Sequence, residues 1–270
     1  MKFAIQETAL SGGSVAEKFQ QAKALGFDGV EVWSRGLSTR MDELVEAMIA
    51  AELPISAVYL QGEHAILAPD EAERERGLQE IRDAICCAAD VGASGVICMP
   101  GDGTTAIPDL SPYMTAYELA TGLFYTHMRT LEDYSMAMGV KFYIQPVSRH
   151  ATRLIRRLDQ AADILHRLHD HPNVHIAADI AHMALEESSL VDALTAHAGM
   201  IGYVHTADSE RRLPGQGSLD FTAVGAALQT MHYEGWVTLG GGEPYMSTTP
   251  AAYPPDDLAH SLAYLRQRGW

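Results

Sequence analysis

Eight short apolar runs, each followed by a helix-length stretch, constrain this chain most. They are Phe3–Gln6, Gly29–Trp33, Ile55–Leu60, Gly95–Met99, Lys141–Gln145, Val174–Asp179, Ile201–His205 and Trp236–Leu239. Each is rich in β-branched and aromatic residues, as strands buried on both faces are. The stretches between them carry helical periodicity: Ser14–Leu25, Arg40–Ala51, Asp70–Val91, Pro112–Met138, Arg153–His169, Ser189–Ala198 and Phe221–His232, with Pro255–Arg268 last. Gly26, Gly92, Gly139 and Gly235 stand at helix ends, where a residue tolerant of positive φ is wanted. Eight strand–helix units of roughly 30 residues predict an α/β chain, a single (β/α)8 TIM barrel. No Pro/Ser-rich linker interrupts the pattern, so residues 1–270 read as one domain.

Composition narrows the partners. Hydrophobic residues make up 47%, enough for a large core. Lys and Arg number 19 against 35 Asp and Glu, a formal net charge of −16. That balance argues against nucleic acid or an anionic membrane surface, which need basic clusters. The segment Met1–Glu7 lacks the apolar core of a signal peptide, and no apolar run reaches the roughly 18 residues of a membrane span. Cys86, Cys87 and Cys98 form neither a disulfide framework nor a CxxC pair. A cytoplasmic protein is expected.

In a barrel of this kind the active site lies at the C-terminal ends of the strands. Polar residues at or just beyond those ends are Glu7, Glu31, Trp33, Gln61, Glu63, His64, Asp102, Gln145, Arg149, Asp179, His182, His205, Asp208, Arg211 and Glu243. Asp179 and His205 each end an apolar strand, and their oxygen and nitrogen donors suit a divalent cation such as Mn, Mg, Co, Zn or Fe. Hydrogen-bonded scaffolding at a strand end is the competing reading. His182, three residues past Asp179, points to the same mouth or sits in a loop. Arg211 can hold a hydroxyl or carboxylate, or be solvated in its charged loop. Gly240–Gly242 can offer backbone N–H groups to a phosphate or form a tight turn. Trp33 and Tyr59 can wall a sugar face or be core. A Schiff-base mechanism is disfavoured, because Lys2, Lys18, Lys23 and Lys141 all lie away from strand C-termini. Cys98, inside a strand, reads as packing rather than as a nucleophile.

Three segments carry a resemblance: Ala24–Glu31, Asp179–Glu187, and His205-Thr206-Ala207-Asp208 with Arg211 and Pro214–Gly217. With them the chain resembles the xylose-isomerase-like sugar phosphate isomerase/epimerase superfamily over nearly its full length, and within it the ketose 3-epimerases of the tagatose/psicose type. The resemblance implies a barrel that binds one divalent metal (Mn, Co, Mg or Zn) through Glu, Asp, His and Glu. The metal polarises a carbonyl while two Glu exchange protons with the sugar carbon. Asp179 and His205 match the Asp and His ligands. His182 and Arg211 match substrate-binding positions, and Glu31 matches a strand-two acidic position. Trp33 and His64 join the substrate-binding candidates. A dimer or tetramer is implied too.

The departures from that pattern are specific. Gln145 stands at the fifth-strand Glu, where its amide can offer oxygen to a metal but accepts no proton near neutral pH. Ala151 stands at a second Glu position. The last Glu falls on Gly240 without a gap, or on Glu243 in Glu243-Pro244-Tyr245 if three glycines are inserted. Metal candidates are therefore Gln145, Asp179, His205 and Glu243, and acid/base candidates are Glu243, His182 and Asp208. The expected activity is isomerisation or epimerisation of a sugar, keto-sugar or polyol by proton transfer beside a carbonyl, with a weakened metal site. Two alternatives accompany it: a catalytically reduced, metal-free sugar-binding or partner subunit, and a lyase or C-glycoside-cleaving enzyme. An abasic-DNA endonuclease of the same barrel is disfavoured by the missing strand-five Glu and the −16 charge.

Overall fold

In a computed structural model, which describes residues 1–60, 65–101, 107–240 and 252–270, the eight strands close into one barrel in sequence order. The strands are β1 (Lys2–Gln6), β2 (Gly29–Trp33), β3 (Ile55–Leu60), β4 (Gly95–Cys98), β5 (Lys141–Ile144), β6 (Val174–Asp179), β7 (Ile201–Thr206) and β8 (Trp236–Leu239). Every neighbouring pair is parallel, and β1 pairs with β8 to seal the barrel. The helices are α1 (Val15–Ala24), α2 (Met41–Ala51), α3 (Glu71–Asp90), α4 (Ala116–Ala137), α5 (Leu158–Arg167), α6 (Ile180–Glu186), α7 (Leu190–Ala196), α8 (Phe221–Thr230) and α9 (Pro255–Gln267). Among the described residues, no helix is long and apolar enough to cross a membrane.

Local chemistry sets the helix starts. Ser14 caps α1 and Thr115 caps α4, each in a reciprocal box with Glu17 or Glu118. The cap at Thr115 starts α4 four residues later than the sequence pattern, because Leu110 and Met114 first pair across a tight turn. Helix α5 also starts late. Gln160 Oε1 accepts from the N–H groups of Arg156 and Arg157 and fixes the entry there.

The barrel interior is filled by side chains. Tyr143 and Tyr203 pack with Ala57, Ile97 and Ala177 into a small central cluster. Small residues make room for the rings: a Cβ at Gly202 would stand 2.8 Å from Tyr143 Cε1. Tyr203 is fully buried, and its hydroxyl lies 2.8 Å from Ser56 Oγ and 2.6 Å from Thr238 Oγ1. This layer is the floor of the mouth above it. The apolar outer faces of the strands meet the helices in one continuous core.

Candidate active site

Register brings the polar strand ends together. Asp179 on β6 stands opposite His205 on β7, and Gln6 on β1 opposite Glu31 on β2. Glu31 is 0% exposed, and both its oxygens are used. Oε1 accepts from Gln6 Nε2 at 3.0 Å, and Oε2 lies 2.6 Å from His205 Nε2. His205 is held edge-on between Tyr59 and Tyr203, with ring centroids 5.5 Å away in each case. Its other nitrogen, Nδ1, lies 3.9 Å from Asp179 Oδ2.

Asp179 has two separate tasks. Oδ1 accepts from the N–H groups of Ala181 and His182 at 3.0 and 3.1 Å, so the residue caps α6. Oδ2 faces the mouth. Gln145 Nε2 donates to it at 3.2 Å, Arg211 Nη1 lies at 3.2 Å, and His182 Nε2 lies 3.9 Å away. His182 therefore sits on the first turn of a short helix, not in a loop. Its Nδ1 accepts from the backbone N–H of Ser148 at 3.0 Å, and Ser148 Oγ lies 3.1 Å from the same nitrogen.

The charges are coupled. Burial opposes ionisation of Asp179, but the facing charges of His182, Arg211 and His205, with the N–H of His182, hold its carboxyl down at about 2. Burial pushes His182 down to about 4, against the pull of Asp179 and with the push of Arg211 and His205. Above that pH His182 is neutral, and the guanidinium of Arg211, 3.2 Å from Oδ2, still faces the ionised Asp179. Burial also disfavours a charged His205, but the charge and hydrogen bond of Glu31, with Asp179, raise it overall.

Arg211 reaches Asp179 from a loop built around Asp208. Asp208 is 0% exposed. Its Oδ1 accepts from Ser209 and Leu219 N–H at 2.7 and 3.0 Å, and its Oδ2 from Gly215 and Gly217 N–H at 2.9 Å each. Four donors fill the four acceptor sites of the carboxylate. Asp208, an acid/base candidate in the sequence, organises this loop through those four bonds. Glu210 and Arg211 both adopt positive φ, 58° and 60°. Each costs about 1–2 kcal/mol outside glycine, so the loop's hydrogen bonds hold Arg211 in a backbone conformation it would not choose.

Trp33 is half-buried at the rim, and its Nε1 is buried without a hydrogen-bond partner among the described residues. Its backbone is tied to Glu7 and Arg40: Glu7 Oε1 accepts from Trp33 N at 2.7 Å, and Arg40 Nη2 donates to Trp33 O at 2.8 Å. Glu31, expected to touch substrate, is instead enclosed by Gln6 and His205. Gly240 continues the ladder to Thr206 O, and a Cβ there would stand 3.0 Å from Gln6 Oε1. His64 and Glu243 lie outside the described residues. Among the described residues, no group of three or more His, Cys, Asp or Glu side chains is arranged to hold a metal ion. Gln145 changes the donor set: its Oε1 is buried and lacks a partner among the described residues. An amide oxygen, a carboxylate and an imidazole are donor types that a divalent cation takes, with one negative charge among the three, and here Gln145 turns its Nε2 toward Asp179.

Sequence reasoning missed Gln6 and Ser148. Gln6 is the last residue of β1, so the strand-end rule could have found it. Ser148 follows β5 in an irregular segment, and nothing in the sequence marks it.

A closed parallel barrel with convergent polar groups at its C-terminal mouth defines the class: a (β/α)8 barrel of enzyme type. The profile of the family described as "Xylose isomerase-like TIM barrel" matches residues 19–268, and the chain belongs to that family. It is similar to the 3-dehydro-D-guloside 4-epimerase of Escherichia coli (strain K12), 29% identical over 269 residues, which is 98% of this chain and 99% of that protein. It is also similar to the ketose 3-epimerase of Arthrobacter globiformis, 27% identical over 92% of this chain and 82% of that protein. A crystal structure of the E. coli 3-keto-D-glucoside 4-epimerase superposes with a TM-score of 0.86 at 28% identity, covering 99% of both chains. The D-psicose 3-epimerase of Clostridium cellulolyticum H10, crystallised with D-tagatose, shares the fold with a TM-score of 0.85 at 19% identity, over 100% of this chain and 99% of that one.

Proposed function

We propose that the chain is a sugar epimerase that moves a proton at the carbon next to the carbonyl of a keto-sugar. The names of the relatives share that chemistry. A 3-dehydro sugar epimerised at carbon 4 and a 2-ketose epimerised at carbon 3 both react beside the carbonyl. The observation that carries the reading is the convergence on Asp179 Oδ2. Gln145 and Arg211 lie 3.2 Å from it, and the nearer nitrogens of His182 and His205 lie 3.9 Å away, all at the barrel mouth.

Asp179, His205 through Nδ1 and Gln145 through Oε1 would hold a divalent cation. Such a cation, when bound, polarises a carbonyl and a neighbouring hydroxyl oxygen. The chain's own residues supply the rest. Arg211 presents a fixed positive charge where negative charge develops on a substrate oxygen. His182 holds a second oxygen. Trp33 and Tyr59 wall the sugar face. Glu243, in its Glu-Pro-Tyr context, is the proposed proton-transferring carboxylate. A dimer or tetramer belongs to the same proposal.

The guanidinium of Arg211 beside Asp179 favours a second reading without metal. There His205, made more basic by Glu31, takes the proton through Nδ1, and a second acid on the opposite face, for which Glu243 is the candidate, returns a proton to the carbon with inversion. Incubating the full chain with 3-dehydro-glycosides and with ketohexoses, in Mn2+ or in chelator, tests both. New epimer in Mn2+ that chelator abolishes supports the first reading. Chelator-insensitive epimer supports the second. No epimer from either sugar class removes both.

A further inference from the structure

We propose that Ser148 is a positioning residue that fixes His182 as the Nε2–H tautomer, so that His182 presents a proton and not a lone pair to the mouth. A backbone N–H can only donate. The Ser148 N–H points at His182 Nδ1 from 3.0 Å, so that nitrogen carries the lone pair. A proton on Nδ1 would face the N–H head-on, which excludes both the other tautomer and the imidazolium while this bond stands. The ring's one proton is then on Nε2, the side that looks toward Asp179 Oδ2 at 3.9 Å.

The arrangement is rigid from both ends. Ser148 is 0% exposed and His182 6%. The N–H groups of Ala181 and His182 are held by Asp179 Oδ1, which fixes the backbone that carries the ring. The Ser148 N–H comes from the segment after β5, so two different strand ends hold one imidazole.

The consequence bears on the acid/base assignment. His182 cannot take a proton from substrate through Nε2, because that site is filled. It acts as a neutral hydrogen-bond donor to a carbonyl or hydroxyl oxygen. This contrasts with His205, whose Nε2 is engaged by Glu31 and whose Nδ1 faces Asp179. The donor role rests on the proposed epimerase reading, whereas the tautomer does not.

The test needs no substrate. The full chain is labelled with 15N and its histidine side chains are recorded near neutral pH, with His182→Gln identifying the signal by its loss. The expected result is a protonated Nε2, an unprotonated Nδ1 and a coupling across the hydrogen bond between Ser148 15N and His182 15Nδ1. A proton on Nδ1, or an averaged mixture of tautomers without that coupling, overturns the proposal. If the chain turns over a keto-sugar, His182→Gln, whose amide N–H reaches the place of Nε2–H, is expected to keep at least tenfold more kcat than His182→Asn. The reverse order contradicts the donor role. If no sugar is turned over, the epimerase reading fails and the spectrum alone decides the tautomer.

Discussion

Glu31 Oε2 and His205 Nε2 approach to 2.6 Å beneath the barrel mouth, and this pair decides which ring nitrogen faces Asp179. A carboxylate behind an imidazole orients the ring and raises its basicity. Glu31→Gln keeps the size but weakens that acceptor. The predicted effect on the full chain is a 10–100-fold loss of Mn2+ affinity by calorimetric titration. An unchanged affinity would separate Glu31 from the proposed cation site.

Gln145 lies 3.2 Å from Asp179 Oδ2 and is fully buried. Gln145→Glu places a second carboxylate there. Without metal the two like charges repel, so thermal stability in chelator is predicted to fall below that of the parent chain. With Mn2+ the order reverses and metal affinity rises at least tenfold. Thermal denaturation in chelator and in Mn2+ reads both effects. Equal shifts in the two conditions would contradict the placement of a cation at this carboxylate.

Asp208 accepts four backbone N–H groups from its own loop. Hydrogen bonds to a charged acceptor contribute about 1.5–3 kcal/mol each, and a buried donor left alone costs a further 1–3 kcal/mol. Asp208→Ala is predicted to lose at least about 3 kcal/mol in urea unfolding, and to weaken substrate binding through a displaced Arg211. A stable variant that loses only kcat would return Asp208 to the acid/base role.

How far the sequence went follows from the same residues. Strand count, order and closure are legible because apolar runs buried on both faces leave a strong signal. Asp179, His182, His205 and Arg211 are legible as a group, because strand ends in a closed barrel converge. Individual roles were not. Asp208 and Glu31 look like free carboxylates in a string of letters, and only the fold shows four N–H groups around one and an imidazole with an amide around the other. Helix α6 escaped because it follows β6 without a break, its cap Asp179 being the last residue of that strand, which read as a ligand or as hydrogen-bonded scaffolding. Helices α4 and α5 begin later than their patterns because capping contacts, not propensity, set the first turn.

Two histidines away from the mouth predict the acid response. Burial lowers His175, helped by Lys141 and opposed by a bond to Pro172, and burial lowers His127, helped by Arg74. A histidine whose folded value lies below its unfolded value of 6.5 binds more protons when unfolded. The stability it contributes is therefore complete above pH 6.5 and is lost as pH falls toward the folded value. Thermal denaturation between pH 7.5 and pH 5 is predicted to show a shallower decline for His175→Gln than for the parent chain. Parallel curves would contradict the assignment.

The central claim is a proton moved at the carbon beside a carbonyl, and solvent exchange reads that step most directly. The full chain is incubated in D2O with a 3-dehydro-glycoside and, separately, with a 2-ketohexose, and both sugars are examined by 1H NMR and mass spectrometry. The account predicts deuterium at the carbon next to the carbonyl in the epimerised product, at no other carbon, and none with Arg211→Ala beyond the enzyme-free rate. Neither epimer nor exchange in any keto-sugar, from a folded chain, would contradict it.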